Sequence, residues 1–200
     1  MSSNSNLSEK VATLNNKFET KHVIFKPIDP HSIEDASLIS SLRARQTDNF
    51  LRNTSGGIDD QVKYLKSYAH RNLLNQEIYY KLWDKQKDIF NGVVRLTELQ
   101  EKKKFNWESL VFADDCSPMA PIDVMLTIYK LGFEFLERSK CGPWDVDKRH
   151  EKMMKIHEFC NMYCLEGEDD DYFHVAVKEE DYLSEIKRFE KLGLGNIKWT

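Results

Sequence analysis

Between residues 77 and 113 apolar and polar positions alternate in three stretches, and lysine-rich polar links join them. EIYYKLW (77–83), DIFNGVVRLTEL (88–99) and FNWESLVFA (105–113) read as strands, because a period of two puts the apolar side chains on one face of a sheet. The charged turns between them predict an antiparallel meander. Ahead of it, HVIFKPI (22–28) reads as a strand closed by Pro27 and Pro30. Residues 33–51 place Ile33, Ala36, Leu38, Ile39 and Leu42 at helical spacing, and NTSGG breaks that helix. Asp59 is placed to cap a second helix with Ile58, Val62, Leu65 and Ala69 on one face. After the meander, residues 121–138 predict a helix entered through Pro121. It is apolar on most sides, so it is expected against the sheet. PWDV (143–146) reads as a short strand, 148–162 as a helix, EGEDDD as a solvated acidic loop, YFHVAVK (172–178) as a strand and 179–192 as a final helix.

Residues 1–20 are rich in Ser, Asn and Lys. They are expected as a loose arm or a short helix, with Val11, Leu14 and Phe18 on one helical face. Residues 21–200 then make a single domain. The order of elements predicts an α/β layer fold with one mixed central sheet and helices on both faces.

Composition narrows the classes. Two hundred residues suffice for a real core, and a net charge of −4 argues against a general nucleic-acid binder. No run reaches eighteen apolar residues, so no membrane span is expected. MSSNSNLSEK lacks the apolar stretch of a secretory signal, which makes the cytoplasm the default compartment. The four cysteines (Cys116, Cys141, Cys160 and Cys164) are expected as reduced thiols.

Several groups carry candidate chemistry. Arg95 stands between Val94 and Leu96 and points opposite to both. There it can hold an acidic group of a ligand or pair with Glu98 or Glu108 across the sheet. His157, Cys160 and Cys164 follow at i, i+3 and i+7, and His150 lies nearby. Zinc would accept such a set. Buried thiols on a core helix give the same pattern, and no metal is expected. The run NWESLVFADDCSPMAPIDVML (106–126) passes from strand to loop to helix start, a place where free backbone N–H groups attract anions. It has no glycine, its two prolines lack the N–H, and Asp114, Asp115 and Asp123 surround it.

The element order resembles that of the GNAT acyltransferases, which move an acyl group from a coenzyme A thioester to an amine. NGVVRLTEL (91–99) resembles a recurring strand of that family, and FNWESLVF resembles the next, often marked by an early Trp. WDVDKRHEKMMKIHEFCNMYC (144–164) resembles the strand, turn and His-bearing helix of amino-sugar and protein N-terminal acetyltransferases. His157 takes the His position, His150 stands where Asn is usual and Asn161 where Gly is usual. The resemblance covers about residues 20–190 and departs from the family most at DDCSPMAP, where a basic, glycine-containing loop usually holds the pyrophosphate.

What the resemblance implies is specific. Acetyl-CoA is the co-substrate, and a small amine is the acceptor, with a nucleotide-linked amino sugar first and a protein N-terminus next. Glu98, Glu108 or a water held by one of them takes the proton from the attacking amine. Tyr163 lies where a tyrosine protonates the departing thiolate. Backbone groups of Leu110, Val111 and Phe112 face the pantetheine arm. Met119, Ala120 and Ile122 offer amides to the pyrophosphate, with His150 and His157 beside the coenzyme. Arg45, Asn49, Arg52, Tyr64 and Arg95 line the acceptor wall. Asp123, in the first turn of its helix, is expected to compete with any anion there. The rival reading is a catalytically inactive GNAT-like protein that serves as a binding or assembly partner. The oligomeric state is open, a homodimer included.

Overall fold

A computed structural model describes residues 3–45 and 57–200. Nine strands form one sheet: β1 Phe18–Glu19, β2 Val23–Pro27, β3 Ile78–Asp84, β4 Ile89–Thr97, β5 Lys104–Phe112, β6 Lys140–Asp147, β7 Tyr163–Glu168, β8 Tyr172–Lys178 and β9 Lys198–Trp199. Six α-helices accompany them: α1 Ser3–Leu14, α2 Ile33–Ala44, α3 Ile58–Leu73, α4 Ala120–Lys130, α5 Glu151–Cys160 and α6 Glu179–Glu190. A π-turn, Leu131–Phe135, extends α4. The strand order is β7-β8-β6-β5-β4-β3-β2-β1-β9.

Alternation along the strands sorts their side chains between two cores. Phe25, Tyr80, Leu82, Val94, Leu96, Phe105 and Trp107 face the larger core, closed by α1, α4, α5 and α6. Ile28, Tyr79, Val93 and Val111 face the smaller one, closed by α2 and α3. Helices on both faces and the β3–β4–β5 meander are therefore as the sequence predicts. The segment expected as an arm or short helix is helical, and Val11 and Leu14 are fully buried in the larger core. At the start of α2, Ser32 caps the helix and its side chain accepts from the Asp35 amide at 3.1 Å. Asp59 does not cap α3; Gly57 stands at that position and Asp59 lies in the first turn.

The region after β6 departs from the sequence reading. Helix α5 ends at Cys160 because Asn161 turns left-handed (φ 53°), a conformation Asn tolerates better than most residues. Residues 163–168, the last three of which belong to the expected acidic loop, form edge strand β7 against β8. Cys164 therefore leaves the helix that carries His157 and Cys160. Among the described residues no group of three His, Cys, Asp or Glu side chains is arranged to hold a metal. No described helix is long and apolar enough to cross a membrane.

Strands β5 and β6 are parallel neighbours, and they pair only at Lys104–Lys140 and Phe105–Cys141. Each then carries one extra residue. Between Glu108 and Val111, β5 opposes three steps to the two from Arg95 to Val93, with Ser109 at φ 55°. Between Cys141 and Trp144, β6 opposes three steps to two on β8, with Gly142 at φ 91°. A bulge bends its strand and increases the local twist. Two bulges flanking one junction account for its opening. Gly92 allows the β5 bulge to approach, since a Cβ there would stand 2.3 Å from the Val111 carbonyl oxygen.

Candidate active site

Strands β5 and β6 part beyond Phe105 and Cys141, and the sequence-predicted residues distribute around this gap unequally. Beyond Phe105 the edge of β5 that faces β6 is released from pairing, which leaves the backbone of Leu110, Val111 and Phe112 beside the gap. On the α2/α3 face, Glu108 lies in this released segment opposite Arg95. Its side chain is 48% exposed, that of Arg95 only 13%. An Arg95 Nη2 donates to Glu108 Oε2, and Thr97 Oγ1 donates to Glu108 Oε1 at 3.4 Å. Arg95 Nη1 also bonds the Tyr64 hydroxyl and, at 3.1 Å, Glu77 Oε2. Glu77 in turn accepts from Arg71 Nε at 2.9 Å.

Four charges of alternating sign thus run Arg71, Glu77, Arg95, Glu108 across α3 and the meander. Burial of Arg95 disfavours its charge, but Tyr64, Glu108 and Glu77 outweigh that and raise its pKa. Burial raises the Tyr64 pKa and holds it as a neutral phenol. Of the two roles the sequence allowed Arg95, the structure shows the ion pair. Glu77 and Arg71 were missed, because nothing local marks a Glu before a strand as the partner of a helix arginine.

Glu98 sits elsewhere. It follows β4 at φ 58° and pairs with Lys104 at 3.0 Å, next to the closed end of the gap where β5 and β6 still pair. Arg45 ends α2 and is exposed. Asn49 and Arg52 lie outside the described residues.

On the opposite face, α4 begins below the open end of β5. Asp114 and Asp115 are exposed, so they face water instead of the helix start. Of the amides at the start of α4, that of Ala120 donates to the Ser117 carbonyl at 2.9 Å and that of Asp123 to the Met119 carbonyl at 2.9 Å. Those of Met119 and Ile122 have no partner among the described residues.

The reading of Asp123 as a competitor for an anion is corrected. Its side chain is fully buried and points into the fold, where it accepts from Thr20 Oγ1 at 2.7 Å, the His22 amide at 2.9 Å and the Gly195 amide at 2.7 Å. It ties the β1–β2 turn and the C-terminal segment to α4, which is a structural task.

His150 stands at the N-cap of α5. His157 is 1% exposed, its ring 5.6 Å from Trp144 and 5.9 Å from Tyr163. Burial pushes its pKa down to about 4, so the ring is neutral at pH 7. Tyr163 is half-buried and opens β7. Cys160 is buried, and burial pushes its thiol up to about 12, which makes it an inert core residue.

No protein-family profile matches the chain, and no curated protein matches it. Solved structures do. A nucleotide-linked sugar GNAT, FdhC in its apo form, is 20% identical over 90% of this chain and 98% of its own, with a TM-score of 0.75. A chimera of spermidine N-acetyltransferase SpeG from Vibrio cholerae and hSSAT is 15% identical over 80% and 98%, TM-score 0.65. The Campylobacter jejuni N-acetyltransferase PseH in complex with acetyl coenzyme A is 18% identical over 78% and 98%, TM-score 0.56. The chain has the GNAT fold.

Proposed function

We propose that the chain is an N-acetyltransferase that moves an acetyl group from acetyl-CoA to a small amine, with a nucleotide-linked amino sugar as the first acceptor to try. The observation that supports this most is the gap between β5 and β6: a released strand edge flanked by two bulges, on a fold shared with acetyltransferases. A parallel pair that opens gives the pantetheine arm backbone groups to bond without displacing a ladder, and Leu110, Val111 and Phe112 supply them. The amides of Met119 and Ile122 at the α4 start serve the pyrophosphate, His150 and His157 flank the coenzyme, and Tyr163 returns a proton to the departing thiolate.

The amine approaches from the α2/α3 face, past Tyr64 and Arg95, with Arg45 at the end of α2. It attacks the thioester carbon directly, the C–S bond breaks, and the proton lost by the amine passes to a base. Glu108 is the better placed of the two glutamates. It lies in the open segment and half of it is exposed, so its free lone pairs can hold a water against the amine. Arg95 and Thr97 fix its orientation. Replacement of Glu108 by Gln keeps the size and removes the basicity, and should lower the rate by about 10²–10⁴. Unchanged turnover in that variant would remove Glu108 from the mechanism.

One observation favours a second reading. The loop before α4 has two prolines and no glycine, and two of its candidate amides are already used inside the chain. That suits a GNAT-like scaffold that binds a partner and transfers nothing. Isothermal titration with acetyl-CoA separates the two readings, since only the transferase binds it.

A further inference from the structure

A cleft of about 270 Å³ lies where β5 and β6 begin, away from the place where they part. Three segments enclose it: α1 with Asn6, Leu7 and Lys10, the β4–β5 turn with Lys102, and the stretch before β6 with Glu137 and Arg138. Lys102 precedes β5 by two residues, and Arg138 precedes β6 by two. These two approaches are locked side by side, because the Ser139 and Lys140 amides both donate to the Lys103 carbonyl, at 2.9 and 3.2 Å. Lys10 reaches the same place from α1 and pairs with Glu137 at 3.0 Å. Three cations and one carboxylate therefore border one cavity, in a chain whose net charge is −4.

Arg138 limits what fits there. It is half-buried. Its Nη1 donates to the Leu136 carbonyl at 2.6 Å and its Nη2 to the Leu99 carbonyl at 3.0 Å. These bonds fix the guanidinium but bring no negative charge to it. Its Nε is enclosed and has no partner, and Glu137, its neighbour in the chain, is turned to Lys10. Among the described residues no carboxylate pairs with Arg138, and burial pulls its pKa down. A cation taken partly out of water is costly unless an anion matches it. Lys102 is exposed and also has no ion-pair partner among the described residues. With Lys10 matched by Glu137, two positive charges are left over on the neighbouring approaches to β5 and β6.

We propose that this cleft binds the phosphoryl group of a small phosphomonoester. Such a group carries nearly two negative charges at pH 7 and three acceptor oxygens, which answers the two unmatched cations. Each Nη of Arg138 keeps one N–H beyond the one given to a carbonyl, and the Lys102 ammonium brings three. The space exceeds a bare phosphate, so the ester's carbon atoms have room beside Leu7 and Asn6. The site is independent of the acetyl-transfer reading. Helix α4 and its π-turn run from the open end of β5 back to this cleft, so the Met119 and Ile122 amides lie at the opposite end of that helix. Because Lys10 belongs to one wall, the bound ester also holds α1 on the domain.

Isothermal titration of the full chain with glycerol phosphate, and separately with inorganic phosphate, tests this, with sodium chloride at equal ionic strength as the blank. The ester should bind one to one with saturation. It should bind more weakly at pH 5 than at pH 8, because its second proton leaves near pH 6. Lys102→Glu reverses the charge of an exposed side chain that holds nothing in the fold, and should weaken the ester by about fivefold or more. Arg138→Gln should weaken it by about tenfold. That variant also frees two carbonyls, and if it fails to fold, Lys102→Glu still decides. Absence of saturable binding overturns the proposal. So does binding that Lys102→Glu leaves unchanged, which would put the ester elsewhere on the molecule. Binding of inorganic phosphate with the ester refused overturns the assignment to a phosphomonoester. None of these results bears on acetyl transfer, so the two readings fail separately.

Discussion

Replacing Asp123 by Ala removes one acceptor group that three donors share. Thr20 Oγ1, the His22 amide and the Gly195 amide all lie within 2.9 Å of its carboxylate, and the carboxylate is fully enclosed. Thr20 is itself buried, but its hydroxyl has the Val23 carbonyl oxygen at 3.2 Å to turn to. The two amides cannot turn at all. Leaving a buried donor unpaired costs about 1–3 kcal/mol, so two stranded amides alone predict a loss of about 2–6 kcal/mol. That is a large part of the roughly 5–15 kcal/mol that holds a domain folded.

Asp123→Asn retains one acceptor but sets its NH₂ against a donor, and should fall between Ala and the parent. Urea unfolding followed by far-UV circular dichroism measures this. With a slope of about 1–3 kcal/mol per molar urea, the midpoint should drop by about 0.7 M or more with the slope unchanged. A shift of the Ala variant below about 1 kcal/mol would refute the reasoning, because it would mean that water already reaches these donors. Tighter acetyl-CoA binding in a fully stable Asp123→Asn variant would restore the competing-anion role that the burial of this group rules against.

Three other outcomes follow from the same geometry. His157 has a folded pKa of about 4 against an ordinary value near 6.5, so the unfolded chain binds the proton first. Its contribution is full above pH 6.5 and is lost as pH falls toward 4, by about 3 kcal/mol at one pKa unit per 1.4 kcal/mol. His157→Phe should flatten that part of the stability–pH curve, and an unchanged slope would contradict the burial argument. Glu98→Gln should leave turnover within about twofold of the parent, in contrast to the loss expected for Glu108→Gln; a loss like that of Glu108 would move the base to the closed end of the gap. Arg95→Ala leaves Glu77 with Arg71 only and Glu108 without its fixed partner. It should raise the acceptor KM and lower stability by about 2 kcal/mol, and an effect on neither would make the four-charge chain decorative.

The meander was legible because alternation and lysine-rich turns are local signals, and the α4 region was legible from its apolar content. β7 was not. CNMYCLEGE has no alternation that separates it from the end of α5, and the stop comes from the left-handed turn at Asn161, which position alone does not reveal. β1 and β9 are two residues each, too short to leave a pattern. At the site, Arg95 could be picked out by its place between two apolar residues, and Glu108 by the neighbouring strand. The role of Asp123 was invisible for a physical reason. A carboxylate in the first turn of a helix is read locally as serving the helix, whereas its partners here lie 72 to 103 residues away.

Acetyl transfer itself is tested most directly by following free coenzyme A thiol while acetyl-CoA is mixed with the protein and a nucleotide-linked amino sugar, with mass spectrometry of the sugar. The account predicts thiol release that depends on the amine, matched one to one by a sugar heavier by a single acetyl group, and lost in Glu108→Gln. No thiol release with the amino sugar, with spermidine or with a peptide N-terminus, from protein that is folded and saturated with acetyl-CoA, would contradict it.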